Sequence, residues 1–296
     1  MNKEIDLSII IVSWNVKAHL SQCLKSIFNT QTNLNFEIFV VDNASSDDSV
    51  KMAKSNFPQV KFIENQQNLG FAKANNQALK KSQGKFILLL NPDTKLFPNT
   101  LANMVGWMRK NPQAKIAGCH LLDEQGITIS HVRYFPNVWN QLAIVLKLPH
   151  IFSGILNKYL RKDFDYTKPQ KVDSIRGGFF MIRRATESDI HKYQFQDKFD
   201  ERYFLWFEEV DFCKQVKKNK QEVWYTPTAK CIDYVGQGFK QVKNIKKQKI
   251  FRDSMLKYFK KWHSAWQCWL LKIAWPIGIL ITWFGEKINY KNKTRT

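Results

Sequence analysis

"FILLLNPDT", residues 86–94, decides how the chain is read. Phe86 to Leu90 are apolar at every position, and Asn91, Pro92 and Asp93 then stop the run on a polar turn. Unbroken apolarity over strand length predicts a strand covered on both faces, not one with a solvated side. In an open parallel sheet, ligands bind outside the carboxyl ends of such strands, where Asp93 falls. A lone carboxylate is sparse provision for a divalent ion, so the run also asks what else works beside Asp93.

The same pattern recurs on either side. "LSIIIVSW" and "FEIFVVDN" predict buried strands, and "VKFIEN" a further one. Leu20, Cys23, Leu24, Ile27 and Phe28 recur at helical spacing after the first strand, and helices are expected across 72–81 and over "NTLANMVGWMRKN". Strands alternating with helices predict βαβ units and an α/β fold with a mainly parallel sheet flanked by helices. Beyond Ala117 the rhythm changes to a hairpin at "CHLLDEQGITI", a strand broken by glycines at "SIRGGFFMIRR", and a helix that begins near the acids of "WFEEVDFC". One or two strands over "QEVWYTPTAKCIDY" close the body.

A chain of 296 residues can bury one large core or two modest ones. Its net charge of +21 is uneven: from Lys240 onward there are 14 Lys/Arg against two acids. Such a tail suits nucleic acid, anionic lipid or an anionic substrate. A nucleic-acid-binding protein is thus the non-enzyme alternative, although no helix-turn-helix, finger or stacking platform supports it. Five scattered cysteines without a C-x-x-C pair predict reduced thiols and a cytoplasmic setting.

Besides Asp93, four places carry candidate chemistry. Asp42 leaves its strand with a carboxylate suited to a uracil or thymine N3–H, or to a ribose hydroxyl. Gly70 precedes a helix and lets backbone approach a phosphate or sugar; an ordinary β-to-α turn would look the same. Glu208, Glu209 and Asp211 crowd a helix start, where acids are also commonplace. Gly177 and Gly178 mark either backbone beside a ligand or a bulge.

Taken in order, "SIIIVSWN", "VVDNASSDDS", "NLGFAKANN", "LLLNPDT", "RGGFFMIRR" and "FLWFEEVDFC" closely resemble family 2 glycosyltransferases of the GT-A fold, above all the rhamnosyltransferase-like branch of bacterial polysaccharide synthesis. The resemblance implies a GT-A catalytic domain over 1–240, with a nucleotide-binding half to about 120, an acceptor half to 240, and a helical tail over 241–296. It implies that Val12, Ser13, Trp14 and Asn15 contact the nucleobase, that Asp42 binds base or ribose, and that Asn68, Leu69, Gly70, Phe71 and Ala72 line the nucleotide pocket. Asn91 to Asp93 stand for the family's metal-holding D-x-D element, and Gly177 and Gly178 border the reacting sugar. Glu209 ends the family's acidic pair and takes the role of base, with Glu208 beside it. Where relatives commonly keep a metal-binding histidine, this chain has Asp233, so Asp93 and Asp233 are the expected ligands of Mg²⁺ or Mn²⁺.

The implied reaction is an inverting transfer from a nucleotide-diphosphate sugar, dTDP-rhamnose or a UDP-sugar, to a glycan or polyprenyl-diphosphate-linked acceptor. A catalytically inactive membrane scaffold of the same fold is the other alternative. Phe251, Met255, Phe259 and Trp262 share one helical face, and "WQCWLLKIAWPIGILITWFG" follows almost free of charge. That tail is expected to lie on the inner face of the cell membrane, with folding back onto the body as the bland alternative.

Overall fold

The computed structural model describes residues 4–193 and 196–293. The first half alternates as expected: β1 (Leu7–Ser13), α1 (Lys17–Phe28), β2 (Phe36–Asp42), α2 (Ser49–Asn56), β3 (Lys61–Glu64), α3 (Phe71–Leu79) and β4 (Phe86–Leu90). A short β5 (Thr94–Leu96), α4 (Thr100–Lys110) and β6 (Ala114–Leu122) follow, then β7 (Val132–Arg133), α5 (Val138–Val145), β8 (Gln170–Lys171) and β9 (Ser174–Ile175). β10 (Phe179–Arg183), α6 (Glu187–Tyr193), α7 (Glu208–Lys218), β11 (Glu222–Asp233), α8 (Gln237–Lys240), α9 (Asn244–Trp262) and α10 (Ala265–Lys293) complete the chain.

Nine strands form one sheet in the order β3-β2-β1-β4-β10-β6-β11-β5, with β8 paired to β11, and β7 and β9 pair in a separate two-stranded sheet. From β3 to β4 every pairing is parallel, so β1, β2 and β4 point their carboxyl ends at one edge. β10 then runs antiparallel between β4 and β6, and β6 pairs with β11 in parallel. The expected hairpin after Ala117 is a single β-bridge, Leu122 to Thr128, carrying a tight turn. β5 is a strand the apolar pattern did not announce, since its pairing with β11 depends on residues 231–233.

Strand alternation sorts the core into two layers. Leu7, Ile9, Ile11, Leu88 and Leu90 face α1 and α4 through Leu24, Ile27, Met104 and Met108. Ile10, Ile87 and Leu89 face the other way, onto α3 and α7 through Ala74, Ala78, Phe212 and Val216. This double cover is why both strands are apolar at nearly every position. Met255, Tyr258 and Phe259 of α9 are buried in that second layer, with Phe251 and Trp262 packed at its margin. The face read from sequence for this helix therefore rests on the body.

α10 packs against α5 and α9, burying Leu271 and Ala274. Gly278 crosses α5 so closely that a Cβ there would lie 2.1 Å from the Val145 carbonyl oxygen. Its opposite side is open: Trp266, Trp269, Ile273, Ile277, Leu280 and Ile281 are all exposed. Among the described residues no helix is long and apolar enough to cross a membrane. The expected tail runs on to Thr296, and residues 294–296 lie outside those described. All five cysteines are free, with Cys119 and Cys231 brought to 3.7 Å between sulfurs on neighbouring strands.

Candidate active site

The edge where β1, β2 and β4 end opens into a cleft of about 400 Å³. Of the residues expected to form a site, it is lined by Val12, Trp14, Asn68, Gly70, Phe71, Asn91, Asp93, Gly177, Glu208, Glu209 and Asp233. These come from six separate stretches of chain, and the fold brings them to one surface. Ser13, Asn15, Asp42, Leu69, Ala72 and Gly178 stand outside the lining. Asn15 instead ties the β1 loop to the β2 loop: its N–H donates to Ser45 Oγ at 2.9 Å and its Oδ1 accepts from Ser46 N at 2.7 Å. Ala72 is wholly buried in the core.

Asp42 is register partner to Ser13 at the ends of β2 and β1. Its Oδ2 accepts from Ser45 N at 2.8 Å, whereas Oδ1 is buried and finds no partner among the described residues. Buried acceptors are nearly always satisfied, so the orphan marks a place where a donor belongs. Gly70 has φ +82, and a Cβ on it would fall 2.3 Å from the Phe204 carbonyl oxygen. That oxygen accepts from Phe71 N at 2.7 Å, joining the start of α3 to the chain just before α7. Glycine is needed here both for its dihedral and for the close approach.

The acidic side is assembled differently. Trp206 and Phe207 both have positive φ, +66° and +68°, immediately ahead of Glu208. Bulky residues in this region cost roughly 1–3 kcal/mol each. Here the strained turn starts α7 so that Glu208 and Glu209 both line the cleft. Burial, then the neighbouring Glu209 charge, pushes the Glu208 carboxyl well above the ordinary range, and its Oε2 has no partner among the described residues. Burial also raises Glu209, while the Arg176 guanidinium and the Gly177 N–H pull it back. Burial thus disfavours two charges on the pair, while Arg176 and the Gly177 N–H favour the charged form at Glu209.

Opposite them, Asp93 is buried, with Oδ2 accepting from Gln237 N at 2.9 Å. Burial raises its pKa, and the nearby Asp233 carboxylate raises it further. Asp233 is adjacent because β5 and β11 pair Thr94 with it. Its Oδ1 accepts from Val235 N at 2.8 Å, and its Oδ2 accepts from the Arg176 guanidinium. The glycines explain themselves by contact: a Cβ on Gly177 would lie 2.3 Å from Glu209 Oε1, and one on Gly178 would lie 2.7 Å from Asp233 Oδ2.

Sequence reading missed Arg176, the Phe204–Trp206 stretch and the Val235–Phe239 rim, all of which line the cleft. Arg176 directly precedes the two glycines, but nothing beside it in sequence marks its partner at Asp233. The rim carried no signal either, since its place depends on the backbone contacts of Tyr234 N with Asp93 O and of Gln237 N with Asp93 Oδ2.

Comparison with known proteins gives this geometry a family. The family model described as glycosyl transferase family 2 matches residues 8–190. The N-acetylglucosaminyl-diphospho-decaprenol L-rhamnosyltransferase of Mycobacterium tuberculosis is 21% identical over 239 residues, covering 77% of this chain and 76% of that one. A mannosyltransferase from Pyrobaculum calidifontis, solved with GDP-Man and Mn²⁺, superimposes with TM-score 0.55 at 15% identity over 94% of this chain and 74% of that one. GalNAc-T7, solved with UDP, GalNAc and Mn²⁺, gives TM-score 0.59 at 15% identity over 86% of this chain and 48% of that one. The likeness to solved glycosyltransferases makes the fold GT-A. With the strand-end motifs in order and the family match running from β1 through α6, the chain belongs to glycosyl transferase family 2.

Proposed function

We propose that this protein moves a sugar, with inversion, from a nucleotide-diphosphate donor to a hydroxyl of a glycan or polyprenyl-diphosphate-linked acceptor in surface-polysaccharide synthesis. One observation carries the reading: the Glu208–Glu209 pair and the Asp93–Asp233 pair line a single cleft at the strand ends. The rhamnosyltransferase similarity supports a lipid-linked acceptor and a rhamnosyl donor, and dTDP-rhamnose or a UDP-sugar is the donor we propose. The unpartnered Asp42 Oδ1 supports the same donors, because uracil and thymine both offer an N3–H.

Glu209 is the base. It removes the proton of the acceptor hydroxyl as that oxygen attacks the anomeric carbon and the carbon–oxygen bond to the diphosphate breaks. The bonding pair leaves on the diphosphate oxygen. Glu208, whose carboxyl is pushed up by burial, disfavours a second charge on the pair and so leaves the proton-accepting role to Glu209.

The cleft suits a divalent ion of the Mg²⁺ or Mn²⁺ kind. Among the described residues no cluster of three or more His, Cys, Asp or Glu could hold a metal. Ions of this class are commonly held by one or two carboxylates together with substrate phosphates. Asp93 and Asp233 supply two, in a place where burial and the neighbouring Asp233 carboxylate disfavour the charge of Asp93. These two residues would hold the ion, which when bound supplies positive charge against the departing diphosphate.

The protein is further proposed to work on the inner membrane surface, seated there by α10. Its exposed apolar side carries two tryptophans, three isoleucines and a leucine, while Lys246, Lys249 and Lys260 lie exposed along the neighbouring α9 and Lys243 just before it. Apolar insertion with basic attraction to anionic headgroups fits that arrangement. The full chain should float with anionic phospholipid vesicles and lose that on Ile273→Glu; equal flotation of the variant would remove α10 from the account.

The decisive experiment screens dTDP-, UDP- and GDP-sugars for acceptor-dependent release of nucleoside diphosphate, with and without Mg²⁺ or Mn²⁺. Release with a lipid-linked acceptor supports the proposal. Release from no donor, with acceptors from several polysaccharide classes, overturns it.

A further inference from the structure

Four carboxylates line the cleft, Asp93, Glu208, Glu209 and Asp233, against one cationic side chain, Arg176. A nucleoside diphosphate entering such a surface meets repulsion unless positive charge is brought to it. Arg176 is placed for that task. Its backbone N–H donates to the His131 carbonyl at 3.0 Å, fixing its stem beside the Gly177–Gly178 floor. The side chain itself is 31% exposed, whereas the Asp233 side chain that holds it is fully buried. One partner thus reaches solvent and the other does not.

The pairing has a consequence for Asp233. Both of its oxygens are engaged, Oδ1 with Val235 N–H and Oδ2 with Arg176. A carboxylate neutralised in this way is a poor ligand until the guanidinium leaves it. Guanidinium offers a flat fork of donors that matches phosphate oxygens as well as carboxylate. We propose that Arg176 binds the donor diphosphate, giving up Asp233 as it does so, and that this exchange releases Asp233 to act with Asp93 toward the divalent ion. The inference rests on the glycosyltransferase reading of the cleft. It makes Arg176 and the ion rivals for Asp233, and it makes nucleotide binding the event that ends the rivalry.

The rivalry gives opposite signs in two binding measurements on the full chain. Mn²⁺ alone is titrated by the electron paramagnetic resonance of free Mn²⁺, and UDP alone by calorimetry in EDTA. Arg176→Gln should bind Mn²⁺ several-fold more tightly than the wild type, because Asp233 is released. It should bind UDP roughly tenfold or more weakly, through loss of a charge-assisted hydrogen bond. Asp233→Asn should do the reverse for Mn²⁺, binding it more weakly, while UDP binding in EDTA is kept or strengthened. Arg176→Lys should keep Mn²⁺ binding near the wild-type value and lose part of the UDP affinity. A variant that merely damages the fold lowers both affinities together. That result in both Arg176→Gln and Asp233→Asn, or no change in either, overturns the exchange. Failure of wild-type protein to bind UDP, dTDP or GDP even with Mn²⁺ would instead sink the glycosyltransferase reading and this inference with it.

Discussion

The cleft has two halves that were built by different means. One half is neutral: Val12, Trp14, Asn43, Asn68, Gly70 and Phe71 line it, and none of them titrates. It is made where parallel strands stop, within the first 71 residues. The other half is charged, and Asp93, Arg176, Glu208, Glu209 and Asp233 reach it from turns far apart in the chain. A base and a ribose need shape and a few fixed hydrogen bonds, which strand ends supply. A departing diphosphate and an acceptor proton need charges held out of water, and those require support from several elements at once.

Substitutions on the two sides should therefore fail in different ways. Glu209→Gln should cost the most, about 10²–10⁴-fold in kcat with donor affinity kept; near-normal turnover would take the base away from the charged half. Gly177→Ala forces a methyl toward Glu209 Oε1, and a displacement near 1 Å costs about 100-fold in rate. Thermal melting of that variant should stay close to the wild type, separating aim from stability. Asp93→Asn should raise the Mn²⁺ needed for half-maximal rate by about tenfold or more, given that even supporting residues of metal sites cost 10–100-fold. At the end of β2, behind the neutral lining, Asp42→Asn should raise KM for uridine or thymidine donors about tenfold and leave kcat nearly unchanged. An equal loss in kcat would break the division between halves.

The smallest expected effect is one of stability. Glu208 has its pKa raised in the folded protein by burial and by Glu209. A raised carboxyl stabilises the fold below the unfolded value and loses that contribution as pH rises through the folded value. Glu208→Gln has no such loss, so its melting temperature relative to wild type should climb by a few degrees as pH rises above about 4.5. A flat difference across that range would mean that the Glu208 carboxyl is not pushed up in the fold.

Much of the neutral half could be read from residues alone. A strand apolar at every position must be covered twice, and β1 and β4 are. Their ends then fall at one edge because the intervening helices make the pairings parallel. Asp93 and the start of α7 were visible for the same reason, as polar breaks after or before patterned segments. Arg176 was not. It is one of 46 Lys/Arg, and nothing in its neighbourhood says that its partner lies at Asp233, 57 positions on. The tail was half legible: the α9 face rests on the core as its spacing implied, but α10 has two apolar sides, and only tertiary packing decides which is covered.

The floor formed by Gly177 and Gly178 also bears on how such an enzyme could change its preference. A methyl group at either position meets a carboxylate oxygen at 2.7 Å or closer, so no side chain can be added there without moving catalytic machinery. Diversification is thereby pushed to rim side chains such as Phe204, Leu205 and Phe239, which line the cleft outside that floor. A library confined to those three positions explores new sugars and acceptors while leaving in place the turns that hold Asp93, Asp233 and the glutamates.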